Sequence, residues 1–215
     1  TRDPQQCTEK LYLEARWLKR RVALANPLIR FDQLLFCKRR PTSYSHLVMQ
    51  YFGWRAQRGG GLFVLEKPGH SLKARDILDG KLAGGSVLGP NLSYDGRQIV
   101  FSWVALPDGL RPGVDQPEKA DEAYFHLYVV NVDGTGLRQI TSGPFDDLMP
   151  TWLPDGGIAF SSTRRKGYAR CFGGQFGQRW HVYTLHRVEA DASGLPMRSH
   201  HDTNEWLPSV MNDDR

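Results

Sequence analysis

Residues Met149 to Arg165 read MPTWLPDGGIAFSSTRR: a Pro-x-Trp-x-Pro-Asp-Gly turn, a short apolar run (Ile158, Ala159, Phe160) and a polar rim. Asp155-Gly156 offers the positive-φ residues that a tight hairpin turn demands. The apolar run has the length of a buried strand. The same unit recurs on both sides. Upstream, Pro90-Asn-Leu-Ser-Tyr-Asp-Gly-Arg97 precedes Ile99-Val-Phe-Ser-Trp103, and downstream Pro208-Ser-Val-Met-Asn-Asp-Asp-Arg215 repeats its opening. The prolines at 90, 150 and 208 are spaced by 60 and 58 residues. A second marker keeps step, because Asp133-Gly-Thr-Gly-Leu137 and Asp191-Ala-Ser-Gly-Leu195 are also 58 apart. A repeat of this length, with strands parted by Asp-Gly turns, predicts propeller blades with long loops. The expected fold class is all-β: a partial β-propeller of four-stranded antiparallel blades, preceded by an N-terminal α-helix.

Working outward, residues 8–26 read as that helix. Thr8 suits its N-cap, and Leu11, Ala15, Leu18 and Val22 form a stripe at helical spacing, read as a packing face. Asn26-Pro27 stops it. Residues 33–38 and 62–65 read as strands, and residues 31–85 as a partial first blade containing an irregular aromatic segment. Gly59-Gly60-Gly61 leads into a strand and lacks a Gly-Lys-Ser/Thr ending, so it is read as a flexible turn, not a phosphate loop. Residues 86–215 then hold two blades and the start of another. In the first of these, 126–132 is an alternating strand and 137–141 completes the blade. In the second, 181–188 matches 126–132, and Trp206 to Val210 opens a third unit. The chain begins at Thr1 and stops within a repeat, so it is read as a fragment of a larger propeller.

The 215 residues carry a net charge of +5, with 40% hydrophobic and 24% charged residues, the balance of a globular domain. The basic residues fall in separate clusters, Lys19–Arg21, Lys38–Arg40 and Arg164–Lys166, without the continuous face a nucleic-acid partner needs. No apolar run is long enough for a membrane span. The three cysteines, Cys7, Cys37 and Cys171, form no Cys-x-x-Cys and no Cys-x-x-Cys-His, so a zinc ribbon and a c-type haem attachment site are both excluded. No Gly-x-Ser-x-Gly nucleophile elbow is present.

The unit Pro150-Thr-Trp-Leu-Pro-Asp-Gly-Gly-Ile-Ala-Phe-Ser-Ser162 resembles the TolB-type propeller repeat. A narrower resemblance rests on Asn26–Arg40, Tyr44-Ser-His46, Gly59–Leu65, Arg170-Cys171, Tyr183-Thr-Leu-His186 and His201-Asp-Thr-Asn-Glu-Trp206. These look like the hydrazine synthase alpha-subunit domain family, large bacterial proteins frequent in planctomycetes. In hydrazine synthase the alpha subunit joins a propeller to c-type haem regions within a periplasmic multi-subunit complex. The resemblance therefore implies the family's propeller region, a periplasmic or secreted location, and other domains or subunits of a larger protein as partners. This chain carries no haem-attachment motif, so the resemblance does not by itself imply hydrazine synthesis. The expected function is a non-catalytic binding or scaffold module. The alternative is a metal- or haem-binding redox module of a hydrazine synthase-like oxidoreductase.

For that alternative, Cys171, His181, His186, His200, His201 and Glu205 are the densest group of potential ligands. A thiolate with imidazoles suits zinc or haem iron, and Cys171, His186 and His201 are the set loops could bring together. His181 and His186 are five apart on one strand and point to opposite faces. His46, Tyr44 and His181 are candidates for binding at a blade end. The competing reading is that all are rim and core residues held by hydrogen bonds. Asp146-Asp147 are neighbours whose side chains diverge, unlike the opposed carboxylates of a glycosidase. Asn131-Val-Asp133-Gly134-Thr-Gly136 lacks the acids of a calcium loop and reads as a hairpin turn.

Overall fold

The computed structural model describes residues 4–29, 31–42, 49–106, 123–167, 181–200 and 202–212. They are mostly β-sheet, with one N-terminal helix. The chain divides into two compact units, residues 1–36 with 63–76, and residues 37–62 with 77–215.

The first unit holds helix α1, Pro4–Leu24. It starts earlier than the sequence predicts, so Thr8 lies inside it and is not its cap. A proline is tolerated in the first turn because its missing N–H has no intrahelical partner there. The expected packing stripe is not buried: Leu11, Leu18 and Val22 are 60%, 55% and 67% exposed. Leu, Glu, Lys and Arg favour helix by propensity, and pairs such as Lys10–Glu14 (3.8 Å) add to it, so α1 forms without covering its apolar side.

Strands β1 (Gln33–Arg39), β2 (Gly60–Glu66) and β3 (Ala74–Asp76) form a three-stranded sheet in that order. The triple glycine is thus not merely a flexible turn, because Gly60 and Gly61 begin β2. At Gly60, φ is +96° and a Cβ would stand 1.9 Å from the Lys38 carbonyl oxygen, so the close approach of two backbones requires glycine.

The second unit contains two further antiparallel sheets. One has the order β4-β5-β6-β7, with β4 Gly85–Leu92, β5 Gln98–Ala105, β6 His126–Asn131 and β7 Arg138–Gln139. The other has the order β8-β9-β10, with β8 Asp147–Trp152, β9 Ile158–Ser162 and β10 Thr184–Val188. Its fourth strand is reduced to one bridge, His186 to Met197, at the place where β6 pairs Tyr128 with Gln139. Residues 206–210 form no strand. Strand β6 does not alternate: Leu127 to Val130 are all buried, because both faces of its sheet are covered.

The two sheets share matching side-chain hydrogen bonds at the 58-residue spacing. Leu127 N–H donates to Thr141 Oγ1 (2.9 Å), as Leu185 N–H does to Ser199 Oγ (2.8 Å). Thr135 N–H donates to Asp133 Oδ1, as Ser193 N–H does to Asp191 Oδ1, both at 2.8 Å. Gly134 (φ +89°) and Ala192 (φ +71°) hold the same turn position. Between the sheets lie Val100, Leu127, Val129, Trp152, Ile158, Phe160 and Val188, each buried. Full burial of such a side chain contributes about 1.5–3 kcal/mol, so this layer is the main attraction between the sheets.

A second core lies where two short 3-10 turns, Met49–Tyr51 and Gly53–Arg55, meet the sheets. Phe52 and Trp54 are buried there with Phe125, Leu148 and Tyr183, and Tyr51 and Trp206 pack against them. The Tyr183 ring lies 5.5 Å from Phe52 and 4.9 Å from Trp206, within the range of favourable aromatic pairs. Gly53 has no room for a side chain, since a Cβ would stand 2.3 Å from the Ala123 carbonyl oxygen.

Candidate functional site

The three prolines of the repeat stand at matching positions. Each follows a residue with positive φ: Gly89 at +58°, Met149 at +54° and Leu207 at +51°. Positive φ is nearly free for glycine but costs a residue with a Cβ about 1–2 kcal/mol. Met149 and Leu207 keep it, so their surroundings impose it. The register of β4 shifts between Leu88 and Asn91, and that of β8 shifts between Leu148 and Thr151, so the bend interrupts both edge strands at the same point. Strand β4 lies beside β8, and Trp152 N–H donates to Asn91 Oδ1 across the two sheets at 2.9 Å. Leu207 N–H meets Met149 Sδ at 3.2 Å.

The residues just after these prolines line one cavity of about 290 Å³: Asn91 and Leu92 from the first, Thr151 and Trp152 from the second, Ser209 and Val210 from the third, with Tyr94 at the side. No lining residue is charged.

A buried acidic pair forms a second polar centre. Asp146 Oδ1 accepts the N–H groups of Gly53 and Phe125, both at 2.9 Å, which fastens the 3-10 segment to the sheet. Burial raises the Asp146 carboxyl to about 7, and the nearby Asp147 charge acts in the same direction. At the matching place 58 residues on, Asn204 Oδ1 accepts Tyr183 N–H at 2.9 Å. Asp147 points elsewhere, as the sequence predicts for neighbours on a strand. Arg164 grips it through Nε–Oδ1 (3.0 Å) and Nη2–Oδ2 (2.6 Å), and Ser162 Oγ donates at 2.6 Å. Burial by itself would raise this carboxyl, but His126 and Arg164 outweigh it and hold it below the ordinary carboxylate value. His126 Nδ1 stands 3.8 Å from Oδ2, beyond hydrogen-bonding distance but close enough for attraction. Composition gave no hint of His126, whose place beside Asp147 depends on where β6 meets β8.

Of the eight residues singled out from the sequence, Cys171, His201, His46 and Tyr44 lie outside the described residues, His200 is exposed, and Glu205 Oε2 accepts Leu185 N–H at 2.9 Å. His181 is half-buried. His186 is 2% exposed, donates from Nδ1 to the Thr184 carbonyl at 3.0 Å, and packs 5.8 Å from the Phe160 ring. Burial lowers its pKa and favours the neutral ring. Its Nε2 is the nitrogen left for a ligand. Among the described residues, no three His, Cys, Asp or Glu side chains are grouped as a metal ion requires. Cys7 is exposed and Cys37 half-buried, and both are free thiols.

No family model matches the chain. A stretch of 72 residues is 38% identical to dipeptidyl-peptidase 5 of Porphyromonas gingivalis, covering 33% of this chain and 9% of that protein. Among solved structures, Kuenenia stuttgartiensis hydrazine synthase is similar with a TM-score of 0.55 at 13% identity, over 86% of this chain and 27% of that one. TolB from Acinetobacter baumannii has a TM-score of 0.36 at 11% identity, over 90% of this chain and 48% of that one. The chain therefore spans less than half the length of each of these proteins. At these identities the structural likeness speaks for the fold alone. The molecule is a mostly-β protein with an N-terminal helix, loosely matching partial propeller-like folds, and no closed propeller is seen among the described residues.

Proposed function

We propose that this chain is a non-catalytic binding and scaffold module of β-propeller type, comparable to the propeller region of hydrazine synthase alpha-subunit-like proteins. Residues 31–85 are then a partial first blade, and residues 86–215 two blades and the start of another. The observation that carries the reading is the convergence of the three proline turns, with matched φ at Gly89, Met149 and Leu207, on one cavity. Propeller blades place their innermost strands about a common axis in this way. Rigid sheets hold the loop ends, and the loop ends make the contacts. Partners are other domains or subunits of a larger periplasmic or secreted assembly.

The test uses the full-length protein. Chemical cross-linking with mass spectrometry is expected to join the loops of residues 86–215 to another domain or subunit. Metal analysis and a visible spectrum supply the opposing result. Stoichiometric zinc or haem iron, lost on Cys171→Ala with folding intact, would replace this reading by the redox module.

A further inference from the structure

The cavity between the proline turns has a chemistry of its own. Its walls offer an amide, two aliphatic hydroxyls and a phenol, and no charge. Asn91 has Oδ1 occupied by Trp152 N–H, which fixes the amide plane and leaves Nδ2 to donate. Asn91 Nδ2, Thr151 Oγ1, Ser209 Oγ and Tyr94 Oη have no hydrogen-bond partner among the described residues. Trp152 lines the cavity too, with its backbone N–H held by Asn91. Tyr94 is 65% exposed, so its ring face is available as an apolar platform with a polar tip. Leu92 and Val210 supply apolar wall between the polar groups.

This combination selects among ligands. A phosphate, carboxylate or metal ion would enter without a counter-charge and lose its hydration uncompensated. A purely apolar ligand would bury the amide and hydroxyls unsatisfied. A ligand with hydroxyls around its edge and an apolar C–H face satisfies both demands. The volume of about 290 Å³ stands at the small end of ligand sites and suits a ring or two, not a folded partner. We propose that the cavity where the three proline turns meet binds a neutral saccharide, with Asn91, Thr151 and Ser209 holding its hydroxyls and Tyr94 stacking on its C–H face. The proposal deepens the reading of the chain as a binding module and rests on it.

The probes are methyl glucoside, methyl galactoside, N-acetylglucosamine and their β-1,4 and α-1,4 disaccharides, added to the full-length protein. Saturable quenching of tryptophan fluorescence and saturation-transfer NMR read the binding. At least one neutral sugar is expected to bind, and glucose 6-phosphate more weakly. Ser209→Ala and Tyr94→Ala, both outside the buried core, should each weaken that sugar about tenfold with an unchanged melting temperature. Asn91→Ala should weaken it further, but it also removes the acceptor of Trp152 N–H, so the other two variants decide. Saturable binding by none of the sugars overturns the proposal, as does binding that ignores Ser209 and Tyr94. Preference for an uncharged acetylated tripeptide over every sugar also overturns it, in favour of peptide recognition. Each of these failures leaves the scaffold reading intact if the cross-links remain, and cross-links lost together with a bound metal would remove both.

Discussion

Replacing Asp146 by Asn should remove most of a pH dependence from the stability of this fold. Asp146 is buried, and both of its hydrogen bonds come from backbone N–H groups that an amide oxygen can accept equally well. The carboxyl is raised from 3.8 to about 7, with burial the largest cause. The folded state therefore holds a proton that the unfolded chain has already released between pH 4 and 7. Stability from this group is fully present below about pH 4, falls as pH rises, and levels off above about pH 7. At roughly 1.4 kcal/mol per tenfold in proton affinity, the loss across that window is about 4 kcal/mol. The substituted amide would titrate nowhere and would copy the arrangement at Asn204. Urea unfolding at pH 5 and pH 8, followed by tryptophan fluorescence, checks this. Asp146→Asn should be close to the native protein at pH 5 and more stable by a few kcal/mol at pH 8. A variant that is less stable at pH 8, or that keeps the native pH slope, would mean that the two N–H groups bind an ionised carboxylate and that the burial argument is wrong.

Ala192→Gly should raise stability by roughly 1 kcal/mol in thermal melts, because Ala192 holds φ +71° where its counterpart Gly134 holds +89°. The reverse change, Gly134→Ala, should cost more than that gain, since its Cβ would also stand 2.6 Å from the Ile77 carbonyl oxygen. Arg164→Ala strands the buried Asp147 charge and should cost about 3–5 kcal/mol at neutral pH. Asp147 is depressed in the native fold, so its contribution is present above its unfolded value and lost as acid is added. Without Arg164 the depression should shrink, leaving His126 and Ser162 against burial, and chemical unfolding between pH 3 and 8 should show a shallower slope.

The hydrogen-bond pattern explains why so much of the repeat could be read directly. The turn Asp133-Gly-Thr-Gly136 and its counterpart Asp191-Ala-Ser-Gly194 are closed by their own side chains within four residues, so local chemistry suffices. The hairpin turn at Asp155-Gly156 is local in the same sense, with Leu153 N–H bonded to Gly157 O at 2.8 Å. Helix α1 was legible in kind but not in surroundings: period reports one apolar side, not what covers it. The aromatic run Tyr51, Phe52 and Trp54 has no period at all, and its burial depends on Tyr183 and Trp206 more than a hundred residues away. For the candidate ligands the sequence offered types and spacing only. His186 is buried and bonded to its own strand, whereas His126, which was not singled out, stands beside a buried charge.

The sequence by itself determined the repeat period, the turns and the strands they join, because each of these is set by interactions within a few residues. Only the tertiary structure decided that Asn91, Thr151 and Ser209 share one cavity, that burial raises the Asp146 carboxyl, and that Met149 and Leu207 bear a left-handed backbone. Those properties arise from how far each group is removed from water and from the distant backbone it must fit, and neither quantity is written in the order of the residues.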